Sequence, residues 1–243
     1  MESKKIIIGN QKMYMSIGEV GEYLKQITGK ILTSNVIICP SSIYIPYFLK
    51  HRYSVGIQNI CAPTKGQYTG EISAKQASEI GLKYALVGHS ERRIHFNEDK
   101  DIINQKIKNL LECKIIPILC IGETSEEKNL LKTNKILKSN IVSCLAGIST
   151  DDLQNVIIAY EPIWAIGTNR IPTVAEIKSN VKYIKDIVKA IYKIDIRVVY
   201  GGSVNPKNIE KLNRIDNLDG FLIGGSSTKA EEFLKIIEVV VPQ

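Results

Sequence analysis

The sequence has few of the features that export, anchor or cross-link a protein. Its cysteines are odd in number and form no C-x-x-C pair: Cys39, Cys61, Cys113, Cys120 and Cys144. We therefore expect reduced thiols, most of them buried, and a cytoplasmic protein. The segment MESKKIIIGN contains only three consecutive apolar residues, which is too few for the core of a signal peptide. No apolar run approaches the about 18 residues of a membrane span.

Clustered basic charge is also missing, although the chain is basic overall. Its 32 Lys and Arg residues outnumber its 25 Asp and Glu residues, which gives a formal net charge of +7. The lysines are spread over nearly every predicted helix, and no basic run alternates with aromatic residues. We therefore expect no nucleic-acid partner and no membrane partner. The excess positive charge favours the approach of a small anionic ligand.

What the sequence does contain is a series of short apolar segments rich in β-branched residues. There are eight: KKIIIGN, NVIICP, SVGIQN, YALVG, IIPILCIG, NVIIAYE, IRVVYGG and DGFLIGG. They are too uniformly apolar for half-exposed strands, which indicates parallel strands covered on both faces. Amphipathic segments separate them, and the longest helices are predicted at residues 98–112, 125–144 and 174–191.

The alternation of strands and helices, without a linker or a change of composition, predicts one α/β domain over residues 1–243. Eight βα units in a chain of 243 residues fit a closed (β/α)8 barrel better than an open doubly wound sheet, which usually has about five or six strands. Four capping-box spacings support the helix starts: Ser73 with Gln76, Thr124 with Glu127, Thr173 with Glu176, and Thr228 with Glu231.

Polar residues and glycines follow several of the predicted strands. They are Asn10 and Lys12 after the first, His89 to Arg93 after the fourth, Glu161 after the sixth, Gly201 to Ser203 after the seventh, and Gly224 with Gly225 after the eighth. A barrel of parallel strands brings all of these ends to one mouth, where active sites of this architecture lie. The set contains a base, an imidazole, a cation and glycine-rich backbone.

Six segments resemble the motifs of the triosephosphate isomerase family, in the family's order across essentially the whole chain. They are GNQKMY, VGHSERR, CIGET, AYEPIWAIGTN, YGGSVN and LIGGSS. The IGG motif alone is weak, whereas VGHSERR together with YEPIWAIGT is specific. The resemblance implies a TIM barrel that forms a homodimer. It also implies interconversion of the triose phosphates dihydroxyacetone phosphate and glyceraldehyde 3-phosphate, in glycolysis and gluconeogenesis, without a cofactor or a metal.

The resemblance also implies catalytic roles, and those of the base and the imidazole are well established for this family. Removal of a proton next to a carbonyl requires a base, a donor directed at oxygen and positive potential. Glu161 matches the base, and His89 matches the electrophile that polarises the carbonyl. Lys12, expected to pair with Glu91, matches the cation that faces the phosphate and the developing oxyanion, and Asn10 is a further donor.

Supporting residues follow from the same motifs. Ser90 and Glu91 indicate a helix N-terminus behind His89, whose dipole favours a neutral ring. The backbone amides expected to bind the phosphate are those of Gly167, Ser203, Gly224 and Gly225. Residues 162–172 match a lid with Trp164 as an apolar lever. Residues 66–71 match a loop that inserts into a second subunit and brings Thr69 to its Lys12 and His89.

The chain departs from the family pattern at a few positions. Gln11 stands where tryptophan is usual, Tyr14 where asparagine is usual, and Asn169 where glycine is common. Asparagine tolerates positive φ better than most residues, and Pro172 narrows the φ range at the distal end of the lid. The first two departures flank Lys12 and concern its packing.

Two other functions are compatible with the fold. One is a different phosphate-binding barrel, such as a sugar-phosphate epimerase, although the metal ligands or paired acids typical of that chemistry are not found at these strand ends. The other is a barrel without turnover that serves as a binding or structural partner. The presence of Asn10, Lys12, His89 and Glu161 favours the isomerase.

Overall fold

The structure is a computed structural model that describes residues 5–31, 33–166 and 170–241. Strands β1 to β8 span Ile6–Asn10, Val36–Cys39, Ser54–Ile57, Tyr84–Val87, Ile116–Ile121, Ile157–Tyr160, Arg197–Tyr200 and Gly220–Ile223. Each strand pairs in parallel with the next one along the chain, and β8 pairs with β1. The closed (β/α)8 barrel predicted from the eight apolar segments is confirmed.

Helices connect the strands around the outside of the barrel. In the described ranges α1 to α11 span Ile17–Ile27, Ile45–Lys50, Ala74–Glu79, Ser90–Phe96, Lys100–Glu112, Ser125–Asn129, Thr133–Cys144, Thr150–Leu153, Val174–Tyr192, Ile209–Asn213 and Ala230–Val240. Short 3-10 helices span Ser42–Tyr44, Ile163–Ala165 and Gly225–Thr228. The capping boxes predicted at Ser73, Thr124 and Thr173 are confirmed. None of these described helices has both the length and the apolar character needed to cross a membrane.

Two helix predictions are wrong. The single helix predicted for residues 125–144 is interrupted between α6 and α7, where Leu131 has a φ of 54°. Apolar periodicity continues across this break, so the pattern alone does not reveal it. Thr228 does not cap α11, because it closes the preceding 3-10 helix and donates its Oγ1 hydrogen to the carbonyl of Gly225 at 2.8 Å. The residue that precedes α11 is Lys229, which makes no side-chain cap.

Side chains alternate along the strands and so build two apolar layers. Ile8, Cys39, Cys120, Ala159 and other inward residues fill the centre of the barrel, whereas the intervening residues of the same strands pack against the helices. Burial on both faces explains why the strands are apolar at consecutive positions. All five cysteines are free and four of them are buried, as expected from the sequence. Because the strands are all parallel, the polar residues at their carboxyl ends lie together at one mouth of the barrel, above the packed centre.

Closure of the barrel between β8 and β1 leads to a prediction about Gly220. This residue has a φ of +153°, and a Cβ at this position would lie 2.0 Å from the carbonyl oxygen of Ile6. We expect Gly220→Ala to lower the free energy of unfolding by about 2 kcal/mol or more, because the backbone would have to shift at the seam. Urea denaturation at one fixed protein concentration measures this change.

The matched control is Gly21→Ala in α1, where an added Cβ meets nothing within 4 Å. Alanine favours a helix interior over glycine, so this variant is expected to gain about 0.5–1 kcal/mol. A Gly220→Ala protein as stable as the parent would contradict the close contact of β8 with Ile6.

Candidate active site

His89 lies between β4 and α4 and is the N-cap residue of that helix. Its Nδ1 accepts a hydrogen bond from the backbone N–H of Glu91 at 3.3 Å. A nitrogen that accepts a hydrogen bond carries no proton, which leaves the ring proton on Nε2. The side chain is buried, and Nε2 lies 3.6 Å from Glu161 Oε2. The helix N-terminus thus holds the imidazole so that the N–H of Nε2 is available as a donor.

Glu161 directly follows β6, and its backbone N–H donates to the carbonyl of Ile121 at 2.8 Å. The residue is 2% exposed. Its Oε2 accepts from Ser90 Oγ at 3.5 Å, and its Oε1 has no hydrogen-bond partner in the described part of the chain. A buried carboxylate oxygen without a partner is unfavourable for stability, so it indicates a functional group.

Two glycines make room for Glu161. A Cβ at Gly201 would lie 2.7 Å from Glu161 Cγ, and a Cβ at Gly122 would lie 1.7 Å from the Glu161 carbonyl oxygen. Gly201 was among the strand-end residues selected from the sequence, whereas Gly122 was missed. Its only signal is its position directly after β5, in the CIGET motif.

Lys12 has an uncommon backbone conformation, with a φ of 52°. Asn10 Oδ1 accepts the Lys12 N–H at 3.1 Å, and Gln58 Nε2 donates to the Lys12 carbonyl at 2.9 Å. Left-handed conformations of non-glycine residues cost roughly 1–3 kcal/mol and persist where the surroundings fix them, often at functional sites. Gln58, which lies just beyond β3, was not selected from the sequence.

The ammonium group of Lys12 forms the predicted pair with Glu91, at 2.6 Å between Nζ and Oε1. Burial alone would raise the pKa of Glu91, but the hydrogen bond and the charge of Lys12 lower it below the usual value of a glutamate. Glu91 therefore stays ionised at neutral pH and fixes the position of the cation.

The strand-end residues surround a cavity of about 280 Å³ at the mouth of the barrel. Eight of the residues selected from the sequence at strand ends line it: Asn10, Lys12, His89, Gly201, Gly202, Ser203, Gly224 and Gly225. A Cβ at Gly225 would meet nothing within 4 Å, and one at Gly224 would meet Lys12 Cε at 3.7 Å. The cavity thus combines open glycine backbone with a cation and an imidazole N–H, which suits a small anion.

The carboxylate of Glu161 does not line this cavity. It lines a neighbouring cavity of about 270 Å³ together with Ser90 and Cys120. Glu161 Oε2 lies 3.6 Å from Nε2 of His89, which lines the anion cavity, so the two cavities are adjacent at this contact. The carboxylate is therefore beside the anion cavity and turned toward Ser90.

The other residues predicted for the site do not line the anion cavity or are not described by the structure. Thr69 is exposed and lines neither cavity. Gly167 and Asn169 lie outside the described residues. Trp164 is half-buried in the 3-10 helix after Glu161. Among the described residues, no group of three or more His, Cys, Asp or Glu side chains is arranged to hold a metal ion.

A buried glutamate that was not selected from the sequence, Glu123, holds Trp164 in place. Its Oε1 accepts from Trp164 Nε1 at 2.8 Å, and both carboxylate oxygens lie 3.3 Å from the Tyr160 hydroxyl. Its backbone carbonyl accepts the N–H of Ile163 at 3.0 Å. The available signal was an acidic residue just after the apolar strand β5.

The environment of Glu123 leads to a prediction about pH. Burial raises the pKa of Glu123, although the hydrogen bonds from Trp164 and Tyr160 oppose this change. A glutamate whose pKa is raised on folding stabilises the protein most below its unfolded pKa, and that contribution is lost as the pH rises through the folded pKa. The variant Glu123→Gln keeps an acceptor for Trp164 but has no carboxyl group to titrate. We therefore expect its free energy of unfolding, relative to that of the parent, to increase from pH 4 to pH 7.

Urea denaturation of both proteins at the two pH values tests this expectation. The control is Glu238→Gln, because Glu238 is exposed on α11. An identical pH trend for the two variants would contradict an effect of burial at Glu123.

Comparison with known proteins gives one consistent result. The family model described as triosephosphate isomerase matches residues 5–240. A triosephosphate isomerase of Clostridium botulinum (strain Loch Maree / Type A3) is 38% identical over 242 residues, which cover 96% of this chain and 98% of the relative. One of Alkaliphilus metalliredigens is 38% identical over 244 residues, with the same two coverages. One of Protochlamydia amoebophila is 37% identical over 242 residues, covering 96% of this chain and 92% of the relative.

Proposed function

The chain belongs to the triosephosphate isomerase family, and from this premise we propose how its residues interconvert dihydroxyacetone phosphate and D-glyceraldehyde 3-phosphate. The observation that carries the proposal is the 3.6 Å contact between Glu161 Oε2 and His89 Nε2 beside the cavity that contains Lys12. A base, a neutral donor and a cation meet there around a space for an anion.

Glu161 is the base that removes the proton from the carbon next to the carbonyl. Among the described residues its Oε1 has no hydrogen-bond partner and its Oε2 accepts one long hydrogen bond, from Ser90, so little is lost when the carboxylate turns from Ser90 toward the anion cavity. The absence of a side chain at Gly201, next to Glu161 Cγ, leaves space for this rotation.

His89 donates its Nε2 hydrogen to the substrate carbonyl and then moves a proton between the two oxygens of the enediolate. Lys12 supplies positive potential where negative charge develops on those oxygens and on the phosphate. Because Glu91 and Gln58 hold Lys12 before substrate arrives, the cation does not need to reorganise during the reaction.

The phosphate binds to backbone N–H groups at the end of the cavity formed after β7 and β8. Gly224 and Gly225 allow close approach because they carry no side chain, and Ser203 lines the same end. Ser203 Oγ donates to the carbonyl of Ala165 at 3.1 Å, which connects this end to the 3-10 helix Ile163–Ala165. The family motif adds the amide of Gly167.

The general-base assignment predicts the effect of Glu161→Gln. Glutamine keeps the size of the side chain but cannot accept the proton, so activity is expected to fall by at least about a hundredfold. A dehydrogenase-coupled assay with glyceraldehyde 3-phosphate measures it, and Glu238→Gln is the control. If Glu161→Gln retained the activity of the parent, Glu161 would not be the base.

A homodimer is the assembly that best accounts for a second, wider groove beside the site. This groove of about 570 Å³ runs along Lys12 and His89, and its wall includes Met13, Ile43 and Phe96. These three apolar side chains are between 60% and 90% exposed. Such a patch next to an active site is typical of an interaction surface.

The same chain provides a segment that suits the groove. Residues 64–70 are exposed throughout, and Tyr68 within them is 51% exposed. Two copies related by a two-fold axis would each insert residues 66–71 into the groove of the other. This arrangement would bury both the exposed loop and the apolar wall of the groove in each copy. Thr69 of one copy would then lie beside Lys12 and His89 of the other.

The dimer makes activity depend on assembly. Ile43→Lys places a charge in the apolar wall and is expected to produce monomers with at least about tenfold lower activity, because the site then lacks the inserted loop. Sedimentation and the coupled assay measure assembly and activity at micromolar concentration. The control is Ile80→Lys, at an exposed position that does not line the groove. A fully active monomer would contradict the proposal.

We also propose a cytoplasmic location. All five cysteines are free, which is usual in a reducing compartment. Recovery of the activity from a secreted or membrane fraction of the source cells would contradict this location.

A further inference from the structure

Gln11, the residue directly before Lys12, connects the end of β1 with the turn after β8. Its backbone N–H donates to the carbonyl of Cys39 at 3.1 Å, which fixes the backbone against β2. Its side chain is 2% exposed, and Nε2 donates to the carbonyl of Ser227 at 3.3 Å. The amide is therefore a buried link between β1 and the 3-10 helix Gly225–Thr228.

Ser227 is itself tied to the turn that precedes it. Its backbone N–H and its Oγ both donate to the carbonyl of Gly224, at 2.8 and 2.7 Å. Within the described residues, the bond from Gln11 is the only hydrogen bond that reaches residues 225–228 from outside residues 224–232. Gln11 thus ties the turn that contains Gly224 and Gly225 to the end of β1.

We propose that Gln11 is a positioning residue for the phosphate of the substrate. This inference rests on the proposed role of the Gly224 and Gly225 amides. Backbone N–H groups bind a dianion well only when they are held in a converging arrangement before it arrives. Gln11 supplies that constraint through Ser227, and its side chain does not line the anion cavity.

The main variant is Gln11→Leu, which keeps a side chain of similar length and removes the amide. A buried hydrogen bond of this kind corresponds to about a 3- to 10-fold change in affinity. We expect inorganic phosphate to bind about 3- to 10-fold more weakly, by titration calorimetry, and kcat/KM for glyceraldehyde 3-phosphate to fall by a similar factor. The kcat/KM for D-glyceraldehyde, which has no phosphate, is expected to stay unchanged.

Tyr23→Phe is the matched control. Tyr23 is buried, and its hydroxyl, which lies beside the amide of Gln11, forms no hydrogen bond of acceptable geometry within the described residues. Its removal leaves the bond from Gln11 to Ser227 intact, so phosphate affinity should be unaffected. Gln11→Asn is a second test variant, because it keeps the polar amide but shortens the reach to Ser227, and it should also weaken phosphate binding.

Three results would overturn the inference: unchanged phosphate affinity in Gln11→Leu and Gln11→Asn, an equal loss in Tyr23→Phe, or an equal loss of activity toward both substrates. The last would mean that Gln11 affects the fold in general. The proposed function is tested separately by the parent protein, because it fails if the parent has no isomerase activity, whereas the phosphate titrations report on Gln11 without turnover.

Discussion

The contact between Glu161 and His89 is the constraint on which the site depends. His89 follows β4 and Glu161 follows β6, and the two residues meet because β5 lies between these strands and pairs with both in parallel register. A shift of one residue in either pairing would direct the next side chain to the opposite face of the sheet. Gly122 then leaves room for the backbone carbonyl of Glu161, and Gly201 leaves room for its side chain. The strand pairing that builds this part of the barrel therefore also determines the geometry of Glu161 and His89.

A second constraint concerns charge. The site must hold a cation for an anionic substrate without leaving that cation free to move. Asn10 and Gln58 fix the left-handed backbone of Lys12 through its N–H and its carbonyl, and Glu91 holds the ammonium group. Because these partners come from three different strand ends, the position of the ammonium group depends on the barrel as a whole. Glu161 Oε1, which has no hydrogen-bond partner among the described residues, and the left-handed backbone of Lys12 both lower stability, and the packed barrel offsets these costs.

The sequence predicted the strands, most helix starts and the residues at the mouth, because each of these depends on local composition or on its position at a strand end. It did not predict contacts that depend on distance in space. Glu123, Gln58 and Gly122 become informative only when the ends of β3, β5 and β6 are brought to the same mouth of the barrel. The break at Leu131 and the role of Thr228 were missed because a turn conformation can interrupt a periodic pattern without altering its composition. Thr69 cannot be placed near the site by any contact within one chain.

The position of the groove connects the proposed dimer with the chemistry of the site. The side chain of Glu91 is 44% exposed and that of Lys12 is 17% exposed, and both line the groove. Surface ion pairs are weakened by water and salt. A second copy seated in the groove would exclude water from this pair and from the nearby imidazole, and the lower local dielectric would strengthen the field of Lys12 at the substrate. In the proposed dimer the inserted loop would contribute to catalysis even where none of its atoms touches the substrate, because it would determine how much solvent reaches the cation.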